Sequence, residues 1–533
     1  MPPKPAVDAI ELQPGDVRYL TPAEKATFAV GSGEYALVVF HGSPTGASNL
    51  QVEAVADSTV PASGPPDPAI LQASRIAFSS PADDRPVEYD RSFERELRIQ
   101  ERRIFEELAP SARAAQARQR AARFSVGAAA LEVGQRLILN ASTTACTNRS
   151  DRVGFVRAIS ERAVIVADSA NPEGGFTDED YQALAIAFDT LVYPVNVENF
   201  GAPADLDQNG RSLIFFTRAV NELTDEGDSS VVGGFFFGRD LFPAMTTGEL
   251  SGCAGSNQAE LFYLLVPDPA GVVNNNKRSK EGVARGTIGV LAHEFQHLIN
   301  ASRRLFVNNA REFEVVWLNE GLSHIAEELL FYRTSGLAPR QNIDLERLRS
   351  SPRILEAVNA YQIANFVRLR KHLEDPERNS PYQLDDDLAT RGSAWALLRY
   401  AADQKASAQQ PIWFALVNNV EVGLANFTKV FGEGVPRVRD WTVSVYTDDV
   451  LPGVPQPFRQ PSWNYRSIYP AIASGYPLKT RQLTGSTPTP VTLAGGGAAY
   501  FRFGVAGNAA VVRLTSQGGS VPAIVEAALV RTK

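Results

Sequence analysis

Residues 286–300, GTIGVLAHEFQHLIN, carry two patterns at once. Ile288, Leu291, Phe295 and Leu298 recur at helical spacing, which predicts a helix with one buried side. His293 and His297 stand four apart, so they project from one face, a turn from each other. Two imidazoles so placed can grip one Zn²⁺. Glu294 follows the first histidine and lies beside such an ion without being forced to bind it, the position of a general base. Only five histidines occur in 533 residues, and His293, His297 and His324 cluster within one short segment.

A catalytic zinc site takes three protein ligands and keeps one position open. Residues 315–332, VVWLNEGLSHIAEELLFY, predict a second helix whose apolar side is Trp317, Leu318, Leu322, Ile325 and Leu329. Glu320 and His324 are four apart on it, so either can face a metal, and chemistry alone leaves both open. Glu327 lies two turns beyond Glu320 on the same face. A ligating imidazole usually gives its second N–H to a carboxylate, so Glu327, with His324, is expected to support the metal-binding histidines.

HEFQH followed by WLNEGLSHIAEE resembles the gluzincin clan of zinc metallopeptidases, and the longer strings HEFQHLIN and WLNEGLSH are most similar to the hyicolysin family. The resemblance covers about residues 287–332. It implies Glu320 as third ligand, a zincin-like catalytic domain and hydrolysis of peptide bonds by water activated at the metal, with Glu294 as base and then acid. It further implies a donor for the tetrahedral oxyanion from the C-terminal subdomain. Residues 389–404, ATRGSAWALLRYAADQ, resemble a helix of hyicolysin-like proteins, which makes Arg391 and Tyr400 candidates, with Tyr361 and Tyr382 behind them. An extended peptide is expected to pair with the strand at residues 259–266 by β-augmentation, facing Ala259, Leu261, Tyr263 and Leu265.

Outside this region, residues 1–80 read as short strands punctuated by turn residues, an N-terminal β-sandwich module, and residues 456–533 as a C-terminal one. Residues 81–126 are charged with a thin apolar stripe (Phe93, Leu97, Ile104, Leu108), a solvated helical linker or, alternatively, a propeptide covering the active site. Residues 127–455 run strands first and helices after, the α+β order, and are assigned to the catalytic domain. Asp205, Asp207 and Asn209 in DLDQNG have the alternation of a Ca²⁺ loop but lack its closing glutamate, so a partial calcium site competes with a tight Asx turn.

Acidic residues exceed basic ones, 60 to 52, for a formal charge of −8, which disfavours a nucleic-acid partner. No apolar run approaches the about 18 residues of a membrane span. The N-terminus lacks an apolar leader, and the chain is expected to be the mature form of a secreted or envelope protein, acting as a monomer on protein or peptide. Cys146 and Cys253 can pair or stay free; sequence leaves both open. The leading expectation is a zinc endopeptidase, with an aminopeptidase-like exopeptidase or a surface binding protein holding an idle zinc site as alternatives.

Overall fold

The structure, a computed structural model, describes all residues except 1–7, 56–58, 61, 63–90, 123–130, 228–230, 384–385, 486, 508 and 517–518. The chain is α+β. Among the described residues, one sheet holds six strands in the order Gly234–Phe236, Leu261–Leu264, Ser212–Phe216, Ala163–Asp168, Asp151–Ile159, Arg136–Asn140. Ser212–Phe216 is parallel to both neighbours, whereas Gly234–Phe236 is antiparallel and forms the edge, with Phe235 opposite Tyr263. Consecutive apolar residues in Leu261–Leu264 and at Ile214, Phe215 and Phe216 are all buried, as strands covered on both faces require.

The HExxH helix, Lys280–Ser302, lies on this sheet, with the Ser279 side chain capping it at the Gly282 N–H. Phe295 anchors it against Phe188, Tyr193 and Phe262, ring centroids 5.0, 5.4 and 6.4 Å away. The second helix, Val316–Ser335, ends at Gly336 in the left-handed region, φ 77°. It packs closely on the helix Leu388–Lys405 because Gly321 has no side chain: a Cβ there would lie 2.8 Å from Leu398 Cδ1. Gly392 allows a similar approach in the next layer, where a Cβ would fall 2.3 Å from the Arg368 backbone in the helix Ile363–Glu374. These close approaches bring Arg391 to Glu320 and Arg368 to Glu327 of the second helix.

Two further sheets stack over a common core, and they correct the expectation of separate modules at residues 1–80 and 456–533. Strands from both ends interleave: Gly33–His41 is paired by Ala498–Val505 on one side and Val525–Arg531 on the other. Leu37 and Val39 enter the shared core, while Ala36, Val38 and Phe40 pack on the core of the helical region. YALVVF is therefore apolar without alternation because both faces are covered, and it needs partners that the N-terminal residues do not supply. The boundary at 456 moves as well, since Trp463, Tyr465, Ile468 and Tyr469 belong to the helical core.

The charged segment is a helix, Arg91–Ala122, but not a solvated one. Leu97, Ile104, Phe105 and Leu108 are buried, and so are Glu94, Arg98 and Glu101. Arg95, Glu96, Arg102, Arg103, Glu106 and Glu107 face water, while Glu94, Arg98 and Glu101 meet protein where the sequence pattern implies water. Among the described residues, no helix is long and apolar enough to cross a membrane.

Cys146 and Cys253 form a disulfide across 107 residues of sequence. Replacing both with serine is expected to cost about 2–5 kcal/mol, chiefly by freeing the unfolded chain. A urea titration checks this, and equal stability of variant and parent would show that the bond holds nothing together.

Candidate metal centre

The HExxH helix and the second helix converge on one point. His293 Nε2 and His297 Nε2 face each other at 3.1 Å, and the Glu320 oxygens lie 3.4 Å from each. Four ligands at 2.0–2.1 Å around a tetrahedral zinc are separated by about 3.3 Å, so the triangle has the size of one face. No hydrogen bond reaches either Glu320 oxygen, although the side chain is fully buried. Arg391 and Arg98 stand at 3.3 and 3.6 Å as ion-pair partners, but a buried carboxylate without hydrogen bonds, beside two facing ring nitrogens, is better satisfied by a cation at their centre. The residues present therefore fit a zinc ion.

Around the triad, six buried carboxylates (Glu94, Glu101, Glu294, Glu320, Glu327, Asp386) meet three buried guanidiniums (Arg98, Arg368, Arg391) among the described residues. Burial works against charge on His293, but its contacts with Glu320 and Glu327 and the nearby negative charges prevail and raise it to about 10. Burial, aided by the positive charge of Arg98, holds His297 well below its usual range. Burial would raise Glu320, yet Arg391 and the two histidines keep it well below the carboxylate range.

Each member of the triad is oriented from behind. The His293 ring places Nδ1 2.9 Å from Glu327 Oε1, which directs Nε2 at the triad. Glu327 is in turn within 3.1 Å of His324 Nδ1 and 3.4 Å of Arg368 Nη1. His297 Nδ1 lies 3.1 Å from Ser323 Oγ, whose proton goes to Gln296 Oε1 at 2.8 Å. Sequence reading missed Ser323 and Gln296; the one available signal was Ser323 standing a helical turn beyond Glu320. A rival cluster of His293, His324 and Glu327 also has metal-ligand proximity. Its donors contact one another and Arg368, with His324 Nε2 alone left without a hydrogen-bond partner, whereas both Glu320 oxygens of the first triad lack one.

Glu294 is buried, and its Oε2 accepts the Phe236 N–H of the edge strand at 2.8 Å. Burial pushes its carboxyl up, against the opposing charges of His293 and Arg98. Arg391 is at the site: its Nη1 lies 3.3 Å from Glu320 while two hydrogen bonds of 2.6 and 2.7 Å tie it to Asp386. It braces Glu320. Tyr400 is a correction, since its hydroxyl donates to the Pro457 carbonyl and its charged neighbours are Asp440 and Arg437. Tyr382 is buried against Trp317, and Tyr361 is half-buried.

The expected substrate strand is also corrected. Leu261–Leu264 is paired on both sides, Leu261 and Tyr263 are fully buried, and the Tyr263 hydroxyl donates to Asp240. Leu265 is buried and Ala259 half-buried, so none of the four faces an open edge. The edge belongs to Gly234–Phe236, flagged in sequence only by the glycines around GGFFFG. In the DLDQNG loop, Asp205 and Asp207 accept the amides of Asn209 and Gly210, and Asn209 donates to Asp207. That is an Asx turn, and Glu260 gathers with the two carboxylates.

No family model matches the chain. Over 153 residues it is 29% identical to the neutral metalloprotease ShpI of Staphylococcus hyicus, a span of 29% of this chain and 31% of that protein. The chain is related to a metalloprotease. The similarity reaches less than a third of either chain, a segment rather than the whole molecule.

Proposed function

We propose that the chain is a zinc-dependent endopeptidase of the gluzincin type, similar to the hyicolysins, in which His293, His297 and Glu320 hold the ion and Glu294 is the general base and acid. The observation that carries this reading is the convergence of two imidazole nitrogens and a buried carboxylate without hydrogen bonds within 3.1–3.4 Å of one another. The mixed sheet with its antiparallel edge beneath the HExxH helix supports a zincin-like catalytic unit. The relationship to a neutral metalloprotease supports the substrate class, and with it a secreted or envelope location.

Bound zinc would supply Lewis acidity to a scissile carbonyl and to water. The chain's own residues do the rest. Glu294, held through Phe236 N–H, takes the proton of the attacking water and hands it to the leaving amine. Glu327 and Ser323 keep the two imidazoles turned inward. Arg391, fixed by Asp386, holds Glu320 in its ionised form. The strand Gly234–Phe236 offers the edge on which an extended peptide can pair.

Metal analysis of the reconstituted chain tests the reading: one zinc per chain is expected, with casein hydrolysis that a chelator removes and little release from aminoacyl-anilides. A chain that takes up no zinc would refute it. Glu327→Gln preserves shape but not charge, and zinc affinity should fall about 10–100-fold in a chelator competition. Unchanged affinity would leave Glu327 no role in orienting His293.

A further inference from the structure

Among the described residues, the centre at His293, His297 and Glu320 opens only into a narrow space. His293, Glu294, His297 and Glu320 are 3%, 2%, 1% and 0% exposed. The cavity that touches the triad, bounded by His297, Phe236, Asn319, Arg98 and Glu101, measures about 20 Å³. One water needs roughly 10–15 Å³, so this space admits a single water and no peptide. In this closed conformation the described residues leave no room for a peptide at the centre.

The wall that closes the site is the helix Arg91–Ala122. Phe93, Leu97 and Glu101 recur every four residues, and Glu94 and Arg98 neighbour them, so one face of the helix carries all five. Phe93 sets its ring edge-on to Phe235 of the edge strand, centroids 5.3 Å apart. Glu101 Oε1 accepts the Gly238 N–H, 2.6 Å, just beyond that strand. Between these two clamps Arg98 reaches the triad, with Nε 3.6 Å from Glu320 Oε1 and Nη1 donating to Glu101 at 2.7 Å. The helix thus covers the edge on which a substrate would pair and sets a cation against Glu320. Further along, Phe105 packs on Phe313, and Arg113 donates to the Leu305 and Ala310 carbonyls.

A buried ion cluster such as Glu94–Arg98–Glu101 adds little net stability, because desolvation offsets the attraction. Its best-attested use is to fix register or to serve as a switch. We infer that the helix Arg91–Ala122 is an internal inhibitor of the peptidase, with Arg98 as its plug at Glu320, and that hydrolysis requires the helix to leave the cleft. The inference rests on the peptidase reading. Its physical content is a closed state favoured over an open one, so substrate turnover scales with the open fraction.

The test uses the full chain with zinc, casein and hydrogen exchange. Arg98→Met keeps volume while removing the plug's charge, Arg98→Ala with Glu101→Ala releases the clamp at Gly238, and Arg103→Ala on the exposed side is the control. The first two should hydrolyse casein about ten-fold faster or more, since the open fraction rises. Arg98→Met should also bind zinc about ten-fold more tightly, having lost a cation beside Glu320. In the double variant, exchange protection should fall in residues 91–122 and in Gly234–Phe236 while the HExxH helix stays protected. Loosened exchange with casein hydrolysis unchanged or lower overturns the inhibitor, leaves the peptidase reading intact and makes the helix a working wall of the site. Absence of zinc from parent and variants alike overturns both. Should the double variant not fold, Arg98→Met decides alone: zinc affinity and hydrolysis both unmoved sink the plug.

Discussion

Glu294→Gln is expected to retain zinc and to lose about 10²–10⁴ of kcat. The substitution is nearly isosteric, and the amide oxygen can still accept the Phe236 N–H that holds the side chain in place. What disappears is the capacity to take a proton from water and return it to the leaving amine. Metal analysis beside casein turnover, made in whichever of the parent and Arg98→Met is the more active, separates the two roles. Parent-like turnover would remove Glu294 from the chemistry; loss of zinc together with turnover would make it structural.

Glu320→Ala should have the second large effect, this time on the metal. It deletes one donor of three and takes one counter-charge from Arg391 and Arg98, now 3.3 and 3.6 Å from the carboxylate, leaving Asp386 to the first and Glu94 and Glu101 to the second. Zinc affinity should drop by more than the about 10–100-fold expected on loss of a supporting residue. The metal-free chain should also lose about 3–5 kcal/mol, the usual cost of breaking a buried ion pair from one side. His324→Ala is the comparison: it belongs to the rival cluster, and its loss should stay within the supporting range. Chelator competition and urea unfolding read both quantities. If His324→Ala abolishes binding and Glu320→Ala spares it, the ion belongs with His293, His324 and Glu327.

Much of the centre was legible in the chain because helical spacing alone sets neighbours. His293 with His297, and Glu320 with Glu327, are partners through the 3.6-residue turn, and any helix through those residues presents them together. Arg391 was legible only through resemblance, and its role as a brace needed the sight of Asp386 and Glu320 on either side of it. Tyr400 shared its segment, but the helix turns it toward Pro457. Adjacency along a helix does not say which tertiary neighbour a face will meet.

Strand order was the least legible feature. LFYL is apolar at every position, which is equally the mark of a covered edge and of a central strand, and hydrogen-bonding partners decide between them. The interleaving of both chain ends has the same origin, since pairing across more than 450 residues leaves no local trace.

By itself, then, the amino-acid order determined the two helices, the two histidine donors with the carboxylate between them, and a choice of Glu320 or His324 for the third donor. Only the tertiary structure decided which strand is the free edge and that Glu320 meets both histidines. It likewise decided that a helix written in charges lies buried across the cleft. The first set follows from bond geometry over one or two helical turns. The second depends on which distant surfaces bury one another, and a charged residue carries no mark of whether water or a carboxylate will face it.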